Sequence, residues 1–384
     1  MREGWEYKKF DEVFNLQMGK TPDRKNPDYF GGKNVWISIR DLGDKEVFES
    51  NEHITDKAVS DTNIRKVKKG TVIMSFKLTV GKCGIAAKDL YTNEAIMAFN
   101  TKEGYDINSS FLYYYLQCYN WKGSNKAVMG ITLNKATISK QHINIPPKST
   151  QLAIVSELDK INELIRLKKE QLKDFDNLAQ SIFYEMFGDP VENEMGWEVS
   201  TYSKCFNIGS GGTPSKSVPE YWDNGNIPWI GSNMCQNCII TETDGKFITQ
   251  EGLNNSSTKY LEVGTVLVAL VGATIGKVAL LRTPTCTNQN VAFIKANESK
   301  DFVPEYVFYN LMGQYEEFMK IGKGNFKMAN QAFIKALPIL SPPLPLQHLF
   351  AHRIEQIEHQ KAEVQKSITD LETLLASRMQ YWFE

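Results

Sequence analysis

The chain has 384 residues and a mass of 43.7 kDa, so at roughly 100–200 residues per domain we expect two or three domains. Its composition, 42% hydrophobic and 23% charged, excludes disordered and low-complexity proteins. The net charge of −1 argues against a protein that coats nucleic acid without selectivity.

Targeting signals are not evident in the sequence. No apolar run approaches the roughly 20 residues of a membrane span, and the first residues, Met-Arg-Glu-Gly-Trp, lack the apolar segment of a signal peptide. Six cysteines are too few for a disulfide framework in a chain of this length. We therefore expect a cytoplasmic protein without disulfide bonds.

The charge is distributed unevenly along the chain. Residues 1–149 carry 23 lysines and arginines against 17 acidic residues, whereas residues 188–340 carry 12 against 15. A polyanionic partner would therefore bind the first segment more readily than the third.

An internal repeat organises the sequence. Gly4-Trp5-Glu6 recurs as Gly196-Trp197-Glu198, and Gly19-Lys20-Thr21-Pro22 recurs as Gly211-Gly212-Thr213-Pro214. Further matches continue in the same order, ending with Pro146-Pro147 and Gln151 against Pro342-Pro343 and Gln347. The chain therefore contains two copies of one unit.

Each copy has a mixed front part and a helical back part. Short apolar segments separated by glycine turns predict strands at residues 71–76, 82–87, 265–271 and 277–281. Residues 109–118 and 304–311 predict short amphipathic helices. We expect an α+β protein with β-rich domains at residues 1–149 and 188–341, and spacer helices at residues 150–187 and 342–384.

The two back parts predict long helices, since residues 150–187 and 346–384 contain no glycine or proline. Their apolar residues alternate in steps of three and four, as in a coiled coil, with interruptions at Lys168 and Lys361. Ordinary core packing is the alternative interpretation of such a stripe. The residues expected to pair the helices are Leu158, Ile161, Ile165, Leu172, Phe175, Ile354, Ile357, Val364, Ile368 and Leu371.

The chain order fixes the direction of this pairing. Helix 1 leaves the first domain for the second, and helix 2 can only run back towards the first, so the pair must be antiparallel. This predicts similar domains at the two ends of a rod of roughly 55 Å, at about 1.5 Å per residue, with an approximate internal two-fold axis.

Signatures of catalysis are absent from the sequence. Gly19-Lys20-Thr21 has Phe14 where the first glycine of a phosphate-binding loop would stand. Asn144-Ile145-Pro146-Pro147 resembles an amino-methyltransferase motif, but an isoleucine is inserted and Lys148 replaces the aromatic residue. Cys235 and Cys238 would supply only half of a zinc site. We expect neither a catalytic residue nor a metal site.

Polar loops recur in both copies and are the candidate DNA-binding elements. Residues 18–22 and 210–214 offer backbone N–H groups, hydroxyl groups and Lys20, which suit phosphate oxygens. Other polar residues differ between copies, as contacts to different base edges would require, although solvated loop residues are the alternative interpretation. The candidates are Gly19, Lys20, Thr21, Ser38, Arg40, Lys77, Thr79, Lys82, Asn134, Lys135, Ser210, Gly212, Thr213, Ser232, Asn233, Thr274, Lys277, Asn325, Lys327 and Asn330.

Taken together, these motifs resemble the specificity subunit of type I restriction-modification systems over the whole chain. The resemblance depends on the repeated Gly-x-Thr-Pro loops and on the Pro-Pro pairs that precede a glutamine and a long helix. It implies a non-catalytic, sequence-specific DNA-binding subunit whose two domains each recognise half of a split site. It also implies partners: double-stranded DNA, two methyltransferase subunits and nuclease-translocase subunits, with S-adenosylmethionine, ATP and Mg²⁺ bound by those partners.

Two alternative functions stay open at this point. The chain could be a scaffold of a related phage-defence complex, or a single-chain methyltransferase or nuclease. The missing cofactor motifs disfavour the enzyme.

Overall fold

The computed structural model describes residues 2–121, 133–297, 302–321 and 328–384 in full, and residues 125–127 and 130–132 as backbone. The chain divides into two compact units. Unit 1 contains Met1–Lys169 and Ser367–Glu384, and unit 2 contains Glu170–Lys366. Each division point lies within a long helix, so each unit includes parts of both long helices.

Unit 1 is built mainly from short strands. Its strands are β1 (Glu6–Lys9), β2 (Phe14–Met18), β3 (Phe30–Ile37), β4 (Glu46–Val47), β5 (His53–Ile54), β6 (Val72–Ser75), β7 (Cys83–Ala86), β8 (Tyr91–Thr92), β9 (Ile96–Thr101), β10 (Asn125–Ala127), β11 (Gly130–Thr132) and β12 (His142–Ile145). Its helices are α1 (Phe10–Val13), α2 (Asp56–Thr62), α3 (Ser109–Cys118), α4 (Lys135–Ser139) and the first part of α5 (Lys148–Phe187).

A five-stranded sheet in the order β2-β9-β6-β7-β4 forms the centre of unit 1. Alternate residues of a strand point to opposite faces, and both faces of this sheet are buried. Val72 and Met74 pack with α3 and the start of α5, whereas Ile73 packs on the other face with Val35. This double burial explains why the predicted strands are continuously apolar and do not alternate with polar residues.

Unit 2 repeats this pattern of elements. Its strands are β13 (Val199–Thr201), β14 (Phe206–Ser210), β15 (Ile227–Ile230), β16 (Cys238–Ile240), β17 (Phe247–Ile248), β18 (Tyr260–Leu261), β19 (Val266–Ala269), β20 (Val278–Leu281), β21 (Thr285–Thr287), β22 (Val291–Ala296) and β23 (Pro338–Leu340). Its helices are α6 (Tyr202–Cys205), α7 (Gln250–Asn254), α8 (Pro304–Gly313), α9 (Tyr315–Met319), α10 (Gln331–Ala336) and the first part of α11 (Leu344–Phe383).

The central sheet of unit 2 has the order β14-β22-β19-β20-β16, which matches that of unit 1 strand for strand. Smaller sheets correspond as well: β5-β3-β8 matches β17-β15-β21, to which unit 2 adds β18, and β1-β12 matches β13-β23. The repeat seen in the sequence is therefore a repeat of topology, and the prediction of an α+β chain with two similar β-rich domains is confirmed.

Each long helix begins two residues before its segment without glycine or proline (150–187 and 346–384), and α11 begins two residues inside the predicted spacer at 342–384. Helix α5 starts at Lys148 and α11 at Leu344. Pro345 lies in the first turn of α11, where a proline is tolerated, so it does not delay the start of that helix. Within unit 1, Glu157 bonds to Arg378 and Lys169 to Glu372. Within unit 2, Asp176 pairs with Lys361 and Met186 contacts Arg353. Positions rise along one helix as they fall along the other, which confirms the antiparallel pairing.

The predicted pairing residues lie on the inner side of the helices. Leu158 belongs to the core of unit 1, and Ile354 and Ile357 belong to the core of unit 2. For these three residues, the alternative interpretation as ordinary core packing holds. The fully buried members of the set are Leu158, Ile161, Ile165, Ile354, Ile357, Val364 and Ile368, and the half-buried members are Leu172, Phe175 and Leu371.

Lys361 interrupts the apolar stripe for a physical reason. Its ammonium lies 2.8 Å from Asp176 and 2.9 Å from Glu358. Burial lowers the pKa of this lysine, but the hydrogen bonds to the two carboxylates outweigh burial and raise it above its ordinary value. The lysine therefore stays charged in a half-buried position.

None of the described helices has both the length and the apolar character that a membrane span needs.

Candidate nucleic-acid interface

In unit 1, three loops lie together at one edge of the central sheet. Strand β2 ends at Met18 opposite Met97, and β6 ends at Ser75 opposite Ile96. The segments 19–22 and 76–82 therefore leave the sheet at the edge where β9 begins, beside residues 93–95. Residues 38–41, after β3, join them, since Asn93 donates its backbone N–H to the carbonyl of Ile37 at 2.9 Å.

The Gly-x-Thr-Pro loop of unit 1 is fastened to this edge by its backbone. The amide of Gly19 donates to the carbonyl of Ile96 at 3.2 Å, and that of Lys20 donates to Thr92 at 2.9 Å. The indole of Trp36 donates to the carbonyl of Lys20 at 3.1 Å. A Cβ on Gly19 would lie 2.2 Å from the carbonyl oxygen of Thr92, so only glycine fits there.

Unit 2 fastens its own loop in the same way. Gly211 donates to the carbonyl of Val291 at 3.2 Å, and Gly212 donates to Thr287 at 2.8 Å. The indole of Trp229 donates to the carbonyl of Gly212 at 3.0 Å. The amides of Gly19, Lys20, Gly211 and Gly212 are therefore bonded to the sheet edge, and phosphate binding by the other polar groups of these loops stays a prediction.

Several candidate side chains of unit 1 also have partners within the chain. The ammonium of Lys20 donates to the carbonyl of Thr62 at 2.6 Å, and the hydroxyl of Thr21 donates to Glu94. Ser38 is only 9% exposed, and its hydroxyl donates to Asp41 at 2.6 Å. Ser38 occupies the position before the short 3₁₀ helix Ile39–Asp41, and its role as a base contact stays a prediction.

The carboxylate of Asp41 holds this turn in place. Burial raises the pKa of Asp41, but hydrogen bonds from Ser38 and Asn51 outweigh that effect and leave the pKa below its ordinary value. Arg40 projects from the same turn with a side chain that is 64% exposed, 3.7 Å from Glu52. The turn therefore presents one exposed guanidinium on a fixed backbone.

Arg24 is a residue that the sequence analysis did not identify. It lies over the rings of Phe30 and Trp36, at 4.8 and 5.1 Å, and forms two hydrogen bonds with Glu52. Those bonds hold the pKa of Glu52 below its ordinary value. Its position two residues after the Gly-x-Thr-Pro loop is the one signal that could have indicated it.

The turn between β6 and β7 carries the other candidates of unit 1. Thr79 and Lys82 are exposed and Lys77 is half-buried, with its ammonium 5.6 Å from the ring of Phe76. The structure therefore brings Lys77, Thr79 and Lys82 to the sheet edge that also bears Arg40.

In unit 2 the candidate residues form local hydrogen bonds. Ser210 accepts from Gln331 at 2.9 Å, and Thr213 donates to Gln289 at 2.6 Å. Lys277 donates to Gln236 at 2.7 Å, and the hydroxyl of Thr274 lies 3.5 Å from the carbonyl of Val271. The 3₁₀ helix Ser232–Met234 follows β15 and presents Asn233 as an exposed residue. Asn233 therefore stands where unit 1 has Arg40, while Ser232 is half-buried.

Two candidate asparagines begin helices. The side-chain oxygen of Asn134 accepts from the amide of Thr137 at 2.8 Å, and that of Asn330 accepts from Phe333 at 2.9 Å. They are the N-caps of α4 and α10. Their side-chain oxygens are therefore engaged in capping, and their assignment as DNA-binding residues stays a prediction. Lys135 is exposed in the first turn of α4, and Asn325 and Lys327 lie outside the described residues.

The Pro-Pro…Gln motif positions each long helix on its domain. Gln151 is 1% exposed; it donates to the carbonyls of Asp106 and Pro146 and accepts from the amide of Asn108 at 2.8 Å. In unit 2, Gln347 donates to Pro342 at 2.9 Å and accepts from Val303 at 3.0 Å. In both units, the Pro-Pro…Gln motif therefore fixes the long helix to the domain that carries the variable loops.

The cysteine pair of unit 2 has a structural explanation. Cys235 is buried in the core, and burial raises the pKa of its thiol. Cys238 donates to the carbonyl of Met234 at 3.4 Å. Among the described residues, no three histidine, cysteine or acidic side chains come together to hold a metal ion.

Comparisons with known proteins identify this architecture. The chain is 23% identical to the MjaIX type I restriction enzyme specificity subunit of Methanocaldococcus jannaschii, over 96% of this chain and 90% of that protein. It is 26% identical to the EcoR124I/EcoR124II specificity subunit of Escherichia coli, over 46% of this chain and 44% of that protein.

Solved structures share the fold at low sequence identity. A chain from a study of assembly and conformational transition of the type I R-M system matches with a TM-score of 0.63 and 16% identity, covering 100% of this chain and 98% of that one. The type I restriction-modification S subunit from M. genitalium matches with a TM-score of 0.51 and 14% identity, covering 99% and 96%.

The family model of the type I restriction modification DNA specificity domain matches the chain twice, at residues 2–174 and 194–373. These matches fall on the two copies that the sequence and the sheet topology define, and DNA sequence recognition rather than catalysis is the function of such a subunit. The chain belongs to the family of type I restriction-modification DNA specificity subunits.

Proposed function

We propose that the chain recognises a bipartite DNA site in which each unit contacts one half-site through the loops at its sheet edge. The observation that supports this proposal is the pair Arg40 and Asn233, which are both exposed in a short 3₁₀ helix after corresponding strands. Arginine suits guanine and asparagine suits adenine in the major groove. The same position in the two repeated units would thus contact different bases.

The lysines of unit 1 would place the protein on the DNA backbone. Lys77 and Lys82 lie on the same loop edge as Arg40, and residues 1–149 carry a net charge of +6. Contacts to phosphate orient a protein without carrying sequence information. Because residues 188–340 carry three more acidic than basic residues, we infer that high affinity for the second half-site requires partner subunits.

We further propose that the chain acts in a type I restriction-modification complex. In this proposal two methyltransferase subunits dock on it, and nuclease-translocase subunits join through the complex. S-adenosylmethionine, ATP and Mg²⁺ would be bound by those partners, while this chain holds no cofactor. The paired helices α5 and α11 would set the distance between the half-sites.

The decisive experiment is to map methylated adenines across the genome of cells that express this chain with a methyltransferase partner. We expect methylation at one split sequence. Replacing residues 1–149 with the first domain of another family member should change one half-site and leave the other unchanged. A change in both half-sites, or methylation without a split consensus, would contradict the proposal.

The assignment of catalysis to partners has its own test. The purified chain, incubated with DNA and S-adenosylmethionine or with DNA and Mg²⁺, should neither methylate nor cut. Turnover by the chain alone would overturn that part of the proposal.

A further inference from the structure

Leu78 has an unusual backbone for its residue type. It lies in the turn between β6 and β7 with φ of +62°, and its side chain is 63% exposed. Among the described residues, all other non-glycine residues with positive φ are asparagines, which tolerate this conformation far better than leucine does. An exposed leucine therefore occupies a position that is unfavourable for its backbone and gains little from core packing.

The turn is held rigidly at its base. Ser75 is fully buried, and its hydroxyl donates to the carbonyl of Thr79 and accepts from the amide of Lys82 at 3.1 Å. The amide of Gly81 donates to the carbonyl of Ser75 at 3.0 Å. These bonds hold the backbone on both sides of Leu78, and with it the direction of its Cα–Cβ bond.

The second copy uses glycine at the corresponding position. The carbonyl of Phe76 accepts a hydrogen bond from the amide of Leu133, and the carbonyl of Leu270 accepts one from the amide of Ala329. We call this carbonyl the anchor of the turn. Two residues after this anchor stand Leu78 in unit 1 and Gly272 in unit 2, where φ is +73°. Counted from this anchor, both turns have a left-handed residue at the same place, and the turn of unit 2 (270–277) is one residue longer than that of unit 1 (76–82). Glycine supplies this conformation without strain, so the side chain of Leu78 is what unit 1 adds.

Most residues near Leu78 in the turn are polar or basic, whereas Val80 is half-buried against the core of unit 1. Lys77 and Thr79 are its neighbours, and Lys82 lies across the turn. The turn shares its sheet edge with Arg40 and with the loop at residues 19–22. An exposed aliphatic group beside donors and cations matches the chemistry of a thymine, whose 5-methyl group is the apolar feature of the major groove.

We propose that Leu78 is a specificity-determining residue that packs against the 5-methyl group of a thymine in the half-site contacted by unit 1. This inference rests on the proposed function, because it assigns a base contact to a loop that we place on DNA. The lysines at positions 77 and 82 would hold the flanking phosphates while the leucine contacts the base.

The first test uses the complex with its methyltransferase partner and two variants. Leu78→Gly removes the side chain from a backbone that glycine accepts, and Leu78→Asn substitutes a polar side chain of similar size that tolerates the same φ. We expect both variants to melt at the wild-type temperature or above it. Both should relax base preference at one A·T position of the first half-site in the methylome, with the second half-site unchanged.

Phe48→Ala is the matched control. Phe48 is 58% exposed and follows β4, which runs parallel to β7. It therefore lies at the opposite edge of the same sheet, and its removal should leave both half-sites unchanged. A variant of Leu78 that keeps the full wild-type consensus would overturn the inference.

The second test isolates the methyl group. Each thymine of the first half-site is replaced in turn by deoxyuridine, and the affinity of the complex is measured at fixed salt. Burial of one methyl-sized group predicts a loss of about fourfold for wild type at one thymine, and no loss for Leu78→Gly. Equal effects on both proteins, or no effect at any thymine, would overturn the inference.

Failure of this inference differs from failure of the proposed function. If the wild-type complex methylates no split site, the proposed function fails before Leu78 is tested. If a split site is found and the leucine variants leave it intact, only the role of Leu78 is wrong.

Discussion

The indole of Trp382, near the end of α11, donates a hydrogen bond to the carboxylate of Glu157 in α5 at 2.9 Å. Arg378 bonds to both oxygens of the same carboxylate. Two segments that are 225 positions apart in the sequence are thereby joined in unit 1 through one acidic group.

This arrangement predicts a pH dependence of stability. Bonds from Arg378 and Trp382 hold the pKa of Glu157 below its ordinary value of about 4.5. A carboxyl group with a lowered pKa stabilises the folded state above its unfolded pKa, and that stabilisation is lost as the pH falls through the folded pKa. We expect Glu157→Gln to lower the free energy of unfolding by a constant amount at neutral pH and by progressively less below about pH 4.5, measured by urea denaturation.

Glu185→Gln is the control for this prediction, since Glu185 is an exposed residue of the same helix. Its difference from wild type should stay small across the pH range. A Glu157→Gln difference that grows on acidification would contradict the assigned role of the carboxylate.

Gly19 should not tolerate alanine. The added Cβ would meet the backbone carbonyls of Thr92 and Asn93 at 2.2 Å, and such overpacking costs about 1–3 kcal/mol. We expect Gly19→Ala to lower the melting temperature and to weaken recognition of the first half-site. Gly43→Ala is the control, because a Cβ there meets no atom within 4 Å; equal melting temperatures for the two variants would be the contrary result.

Gln151 should be needed for the attachment of α5 to its domain. Gln151→Leu would leave the amide of Asn108 and the carbonyls of Asp106 and Pro146 without their partner, and an unpaired buried group costs about 1–3 kcal/mol. We expect a loss of stability in urea and faster hydrogen exchange at Asn108. Leu152→Ala, at the exposed neighbouring position, should show neither effect, and a stable, slowly exchanging Gln151→Leu protein would contradict this role.

The long helices predict the spacing of the DNA site. A heptad inserted after Lys168 with a matching heptad after Val364 keeps the apolar stripe in frame and lengthens each helix by about 10 Å. At about 3.4 Å per base pair, we expect the non-specific spacer to grow by about three base pairs in the methylome, less if the helices are inclined to the DNA. An active variant that keeps the original spacer would show that other elements set the distance.

Local sequence patterns predicted much of the fold because the interactions behind them are local or repeated. The apolar stripe and the absence of glycine and proline predicted α5 and α11 to within a few residues. The repeat of Gly4-Trp5-Glu6 at Gly196-Trp197-Glu198 indicated two similar domains before any strand was placed.

The candidate interface was harder to predict because a polar residue in a loop can face DNA or bond within the chain. Ser38 and Asn134 are polar enough to contact bases, yet the hydroxyl of Ser38 donates to Asp41 and the side-chain oxygen of Asn134 caps α4. Trp36 and Lys20 are 16 positions apart, and their hydrogen bond depends on strands that meet only in the folded sheet. Such long-range bonds decide which polar groups stay exposed, and they leave no spacing signal in the sequence.

The make-up of unit 1 has a consequence for the order in which the chain can fold during synthesis. Its core includes Phe111 and Tyr115 of α3, whose rings lie 5.8 and 5.7 Å from the ring of Phe383. One side of this core therefore stays uncovered until the end of α11 has been synthesised. Unit 2, by contrast, is one uninterrupted segment, Glu170–Lys366. Unit 2 can therefore complete its core during synthesis before unit 1, which needs the end of α11.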